Sequence, residues 1–282
     1  MLVNLNEVLK KAQEGNYGIG LFNTTDTDML EAVISAAEEL NAPVILGTAE
    51  VLLPYGELEL IAPAMVAAAK RAKVPVVVHY DHGVTFERCM EALKLGFSSL
   101  MFDGSTLPYE ENIAATREIV KIAHEFGATV EGEIGHVGQA DAGDNLATDM
   151  YTTPEEAKAY RDATGVDALA IAIGTAHGVY KSKPKLSLER LAEIRNTIDT
   201  PLVLHGGSGL SDDDFKNVVK GGIAKVNIFT DLCIAGQRAM VEAGGAEGKG
   251  MYGYLDARNL KVKYMKEAVI EKIKLFGSEN KA

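Results

Sequence analysis

Short apolar runs alternate with amphipathic stretches along the whole chain. Eight runs read as strands: GIGLFN (18–23), PVILGT (43–48), VPVVVHYD (74–81), SSLMFDG (98–104), TVEGEIG (129–135), DALAIAIG (167–174), PLVLHGG (201–207) and AKVNIFT (224–230). Apolar runs of this length with little alternation are the mark of strands covered on both faces, as in parallel sheets. Between them lie helical patterns such as DMLEAVISAAEEL, LELIAPAMVAAAKRA, TFERCMEALKLG, YEENIAATREIVKIAHEFG, TPEEAKAYRDATG, SLERLAEIRNTI and SDDDFKNVVKGG. Eight strands alternating with helices predict an α/β protein, a single-domain (β/α)₈ TIM barrel over residues 1–282. Start signals support the helices: Thr153 before Pro154, Glu155 and Glu156, and Ser211 before Asp212, Asp213 and Asp214. Gly96, Gly127 and Gly165 stand where helices stop. Two stretches exceed what a connection needs. Residues 135–151 read as a mobile loop over the barrel mouth, and 242–259 as a loop before a C-terminal helix at about 260–276.

Composition narrows the partners. Of 282 residues, 47% are apolar, enough for one large core. The net charge of -12 argues against nucleic acid, which binds basic surfaces. An anionic ligand must then be held by local positive features such as a metal ion or helix N-termini. Cys89 and Cys233 are too few for a disulfide framework and read as small buried hydrophobes. No apolar run approaches the ~20 residues that span a bilayer, and the first residues lack a signal-peptide core. A cytoplasmic protein with no membrane partner is expected.

Histidines carry the chemistry. His82, His177 and His205 each stand where an apolar run ends. In α/β proteins the strand ends face the ligand crevice. Three converging imidazoles suit a catalytic Zn²⁺, which takes three protein ligands and keeps one position open. Along VHYDHG, strict alternation sends Tyr80 with His82, and His79 with Asp81, to opposite faces. A turn before Gly83 would bring Asp81 to the site as well, as a general acid or base or as the partner that orients a ligand histidine. Asp103 ends a strand, and Glu131 and Glu133 share one face of another. Buried acids need partners. Either a lysine or arginine pairs with them, or they support or bind metal beside the histidines. The glycine corners at 174–178 and 205–209, with the segment 226–230, suit phosphate, with Ser208, Thr230 and Lys181 as donors. His124 reads as a helix residue, His79 as a core histidine, and His136 stays open.

These residues resemble the class II, zinc-dependent ketose-bisphosphate aldolases. The resemblance covers essentially the whole chain: FN (22–23), PVILG (43–47), YDHG (80–83), FDGSTLPYEENI (102–113), VEGEIG (130–135), AIGTAHGVY (172–180), PLVLHGGSG (201–209), KVNI (225–228) and FGS (276–278). It implies a barrel with zinc on His82, His177 and His205, and Asp81 as the acid/base at the aldehyde-derived oxygen. Asp103 and Glu133 match a second or alternate metal position. Asn23 and Asn227 match contacts to the ketose, and Gly178, Gly206, Ser208 and Thr230 a phosphate cradle, often with a bound Na⁺ or K⁺. It further implies a sugar-phosphate substrate, fructose 1,6-bisphosphate first and tagatose 1,6-bisphosphate or another ketose phosphate as alternatives, and a homodimer or homotetramer. Two departures stand out. Where relatives read G-x-x-G-G-Q-E-D, this chain has Gly135-His136-Val137-Gly138-Gln139-Ala140-Asp141, which leaves Asp141 or His136 for the C–H base. The arginine that some relatives place before the last helix has Arg258 as its nearest candidate.

Three other chemistries compete. A Schiff-base aldolase needs a strand lysine near the mouth, and Lys225, the strand lysine, sits at its strand's opening end, the wrong face of the barrel. A zinc hydrolase would release no dihydroxyacetone phosphate, and a sugar-phosphate sensor would bind without turnover.

Overall fold

A computed structural model of the chain describes residues 1–135, 137, 151–178, 184–244 and 250–282. All eight expected strands form, preceded by a two-residue strand β1 (Leu2–Val3). The eight are β2 (Ile19–Asn23), β3 (Val44–Ala49), β4 (Val76–Gly83), β5 (Ser99–Phe102), β6 (Thr129–Ile134), β7 (Ala168–Ile171), β8 (Leu202–Leu204) and β9 (Ile223–Ile228). Each pairs in parallel with the next, and β9 returns to β2, with Ile19 opposite Lys225 and Phe22 opposite Ile228. That closure makes a TIM barrel. β1 pairs with β4 at Val76 and Val77, beneath the point where β5 begins opposite His79.

The helices are α1 (Leu5–Gly15), α2 (Thr27–Glu39), α3 (Leu58–Arg71), α4 (Phe86–Lys94), α5 (Tyr109–Glu125), α6 (Pro154–Thr164), α7 (Leu188–Thr197), α8 (Asp212–Lys220), α9 (Thr230–Ala243) and α10 (Gly250–Phe276). A short 3₁₀ helix, Glu50–Tyr55, follows β3. Thr153 and Ser211 form the capping boxes their sequences announce. Gly96, Gly127 and Gly165 adopt positive φ of 92°, 72° and 74° beyond their helices.

Two hydrophobic layers hold the barrel. The outer layer packs the helices against outward strand residues such as Val78, Leu100, Val130, Leu169 and Leu204. The inner one joins Leu5, Val8, Leu9 and Ala12 of α1 to Ile19, Ile45, Val77, Ala168 and Val203. Helix α1 thus plugs the N-terminal end of the lumen, and the C-terminal end is left for the site.

The segment 242–259, expected as a loop, is mostly helical: α9 runs to Ala243, and α10 starts at Gly250 rather than about 260. Gly244, Gly250 and Gly253 hide the helical period there. Each lowers helix propensity by about 1 kcal/mol. Tertiary contacts override that cost, because Lys261 bridges Asp26 and Asp28 at the start of α2, at 2.8 and 3.0 Å.

Candidate active site

The strand ends surround a cavity of about 560 Å³. Its floor is built by β4. His79 and Asp81 face the lumen, whereas Tyr80 faces outward, its ring 6.0 Å from that of Phe97. At His82 the backbone turns into the left-handed region, φ 44°, and the pairing with β5 shifts between Tyr80 and Gly83. The turn therefore sits on His82 itself, and it frees Asp81 and His82, neighbours in sequence, to reach the same site. Such a conformation is uncommon for a residue with a side chain and persists where the surroundings impose it.

His82, His177 and His205 converge. Their ring centroids lie 4.9 Å (82–177), 4.5 Å (82–205) and 5.8 Å (177–205) apart. One ring nitrogen from each falls within 4.8 Å of the others. Two rings are aimed by carboxylates behind them. Asp103 Oδ2 accepts from His82 Nδ1 at 2.7 Å, and Glu131 Oε1 accepts from His205 Nε2 at 2.8 Å. The opposite nitrogens, His82 Nε2 and His205 Nδ1, face each other at 2.8 Å. Histidines backed by carboxylates and turned toward one point are the arrangement of metal ligands. A second trio, His82, Asp103 and Glu133, also meets the spacing of a cation site.

Electrostatics divide the three histidines. Burial, with the charge of His82, holds His177 down to about 3 and also lowers His205, so both keep free lone pairs. Burial opposes charge on His82 too, but Asp81 and Asp103 raise it to about 9. Burial favours neutral Asp81, yet His82 and Lys225 hold its carboxyl well below the usual range. Glu133 is pushed up to about 8 by burial and by Asp103.

Asp81 is clamped by two amides. Asn23 Nδ2 donates to Oδ2 at 2.8 Å and Asn227 Nδ2 to Oδ1 at 3.0 Å. Asn227 is held in turn by Lys225, whose Nζ donates to Asn227 Oδ1 at 2.8 Å and pairs with Glu131 Oε2 at 2.7 Å. One lysine thus ties the orienter of His205 to the clamp of Asp81. The sequence put Lys225 near the opening end of its strand, and the link it makes there was not foreseen: Lys225 is fully buried, with its side chain in the lumen. Its alternation with Asn227, two residues on, was the available signal. Of the alternatives left open for Glu131, the lysine pair is present, and the same carboxylate hydrogen-bonds His205.

Across the cavity, β8 ends in His205-Gly206-Gly207-Ser208. Gly206 has φ 64°, and a Cβ there would lie 2.3 Å from Ala176 O, so only glycine fits. Gly178 (φ 92°), Ser208 and Thr230, the first residue of α9, line the same cavity. A glycine corner beside a helix N-terminus suits phosphate.

Comparison with known proteins decides the family. The model for class II fructose-bisphosphate aldolases matches residues 3–281. The chain belongs to that family. It is 41% identical to the uncharacterized protein YdjI of Escherichia coli K12, over all of both chains. It is 38% identical to a Staphylococcus aureus fructose-bisphosphate aldolase, covering 100% of this chain and 99% of the relative. The crystal structure of the YdjI aldolase superposes with a TM-score of 0.90 at 39% identity over both full chains. That of a Coccidioides immitis protein described as a fructose-1,6-bisphosphate aldolase superposes at 0.87, with 27% identity over 99% of this chain and 97% of the other. The protein is therefore a class II aldolase, a carbon–carbon lyase.

Other expected residues of the aldolase fall elsewhere. Arg258 does not line the cavity: on α10, it donates from Nε to Asp28 Oδ1 at 2.9 Å and pairs with Glu31. His136, Asp141 and Lys181 lie outside the described residues, as does nearly all of the expected loop at 135–151. His124 sits on α5 and pairs with Asp167 at 2.9 Å, far from the cavity lining. His79 is a core histidine, its Nδ1 2.8 Å from Ser99 Oγ. Cys89 is buried and its thiol pushed up to about 12, which leaves it inert.

Lys225→Met tests the buried network. Removing one partner of a buried ion pair costs about 3–5 kcal/mol. The variant is expected to unfold at lower denaturant by that amount. A midpoint equal to the parent's would show that Glu131 needs no counter-charge.

Proposed function

We propose that this aldolase holds a zinc ion on His82, His177 and His205 and reversibly cleaves a phosphorylated ketose into dihydroxyacetone phosphate and an aldehyde. Fructose 1,6-bisphosphate, the substrate in the family's name, is the reference substrate. The observation that carries the proposal is the pair of carboxylate-backed imidazoles, His82 on Asp103 and His205 on Glu131, turned toward a common point with His177.

A zinc ion bound there supplies a Lewis acid for the negative charge that grows on the dihydroxyacetone phosphate half. Asp81 does the proton work at the other half. In cleavage its ionised carboxylate takes the proton from the hydroxyl that becomes the aldehyde oxygen, and in condensation it returns it. Asn23 and Asn227 fix that carboxylate and keep both its oxygens hydrogen-bonded. Gly178, Gly206, Ser208 and Thr230, with the charge of Lys181, hold the phosphate, which anchors the substrate across the imidazoles. Asp141 and His136 are the candidates for the C–H base of condensation.

Chelation tests the proposal. The metal-free protein is expected to release no dihydroxyacetone phosphate, and zinc to restore release. Borohydride added with substrate is expected to leave activity intact. Full activity without metal, or inactivation by borohydride, would contradict it.

A further inference from the structure

We infer that Glu50 is a positioning residue of this site: its carboxylate staples the bend of β4 and so holds His82 toward the other two imidazoles. The inference rests on the proposed function where it speaks of zinc; the staple itself does not.

Strand β3 delivers Glu50 to the bend. The register of β3 with β4 ends at Ala49 opposite Asp81. Glu50 comes next, as the first residue of the 3₁₀ helix, and it lines the same cavity as His82. At that level β4 turns, with His82 at φ 44°. The Glu50 side chain takes over from the backbone ladder. Its Oε2 accepts from Val84 N at 2.9 Å and from Thr85 N at 3.4 Å, just past the bend. The same oxygen accepts from the Tyr80 hydroxyl at 3.3 Å, just before it. Oε1 accepts from Thr85 Oγ1 at 3.2 Å. Burial, with the charge of Glu50, pushes the Tyr80 hydroxyl up, so it keeps its proton to donate. One carboxylate thus grips the chain on both sides of His82.

The bend needs such a grip. A left-handed conformation on a residue with a Cβ persists only where its surroundings over-determine it. Gly83 could adopt one freely, but it is locked in place. It pairs with Phe102 of β5, its carbonyl accepts from Asp103 N at 2.9 Å, and a Cβ there would lie 2.8 Å from Cys89 Sγ. The turn therefore falls on His82. Asp103 fixes the ring of His82, and Glu50 fixes the chain on which that ring stands. A carboxylate accepting from N–H groups makes charge-assisted bonds, stronger than neutral ones. With Val84 and Thr85 released, His82 can relax toward extended backbone, which swings its ring away from His177 and His205.

Zinc affinity without substrate, measured by competition with a chelator, tests this. Glu50→Ala is expected to weaken zinc by about 10–100-fold, the range for losing an outer support of a metal ligand. Glu50→Gln is the discriminating variant. An amide oxygen in place of Oε2 keeps the three donors, and the amide nitrogen can donate to Thr85 Oγ1. It is expected to keep most of the affinity. A glutamine variant as weak as the alanine one would show that the charge of Glu50 acts on the cation at a distance, and would overturn the inference. Unchanged zinc affinity in Glu50→Ala with a raised KM would mean that Glu50 serves the substrate instead, and would also overturn it. Asn6→Ala controls for lost stability, since it removes the 2.6 Å bond to Asp167 at the closed end of the barrel. It is expected to lower the denaturant midpoint and leave zinc alone; a zinc loss equal to that of Glu50→Ala would reduce the role of Glu50 to general stability. Hydrogen–deuterium exchange of the metal-free protein gives a readout independent of zinc. The amides of Val84 and Thr85 are expected to exchange about tenfold faster or more in Glu50→Ala, the loss of a hydrogen bond to a charged group. Unchanged exchange would overturn the inference. Faster exchange in a protein whose parent binds no zinc would keep the staple and sink the proposed function alone.

Discussion

His205→Ala is expected to lose zinc and carbon–carbon cleavage together. His205 is fully buried, and its two ring nitrogens serve two partners: Nδ1 faces His82 Nε2, and Nε2 meets Glu131. At the proposed zinc site alanine removes one of three ligands, and it also leaves the buried Glu131 carboxylate short of one donor. Two imidazoles cannot close the three-ligand shell that a catalytic zinc requires. The Lewis acid contributes several kcal/mol to the transition state, so cleavage should fall by at least about 10³-fold. Zinc content after dialysis and dihydroxyacetone phosphate release are the two measurements. A variant that kept stoichiometric zinc with normal turnover would show that the metal sits elsewhere. Glu131→Gln separates the roles. It keeps a hydrogen-bonding side chain behind His205 but removes the charge, and should weaken zinc by about 10–100-fold without abolishing it.

Asp81→Asn should separate the halves of the reaction. The carboxylate is buried, held ionised by His82 and Lys225 against the pull of burial, and gripped at both oxygens. Asparagine preserves the shape but cannot take a proton. Loss of a positioned general base costs about 10²–10⁴-fold, and cleavage should fall by that range. With Asp81 acting at the aldehyde-derived oxygen, as proposed, hydrogen exchange at C3 of dihydroxyacetone phosphate should persist, and zinc should stay bound. Exchange lost in step with cleavage would mean that Asp81 shapes the site rather than moving the proton. The asparagine also turns an acceptor into a donor beside Asn23 or Asn227, so a modest loss of stability is expected; a denaturant midpoint accounts for it.

Much of this was legible from the pattern alone. The eight apolar runs became eight strands, and the three run-end histidines met, because period and position are local properties of the chain. Strand ends of a barrel share a mouth whatever the loops do. Three features escaped. Helix α1 was not foreseen, since nothing in its sequence says that its apolar face fills a lumen. The start of α10 was hidden by glycines whose cost is met by contacts with α2, which are distant in sequence. The network of Lys225 escaped because one of its partners, Glu131, lies on β6, distant in sequence from β9. The left-handed turn at His82 was half visible. Gly83 signalled a bend, but the strain falls one residue earlier, on a residue whose ring is fixed by Asp103. The partners of Arg258 could not be read at all, because they come from residues more than two hundred positions away.

The most direct test of the central claim is a crystal of the zinc-loaded aldolase with anomalous diffraction recorded on both sides of the zinc absorption edge. A single strong peak is expected within about 2.0–2.2 Å of one nitrogen from each of His82, His177 and His205. A map with no peak among those rings, or with zinc bound elsewhere while the enzyme still cleaves, would contradict the account.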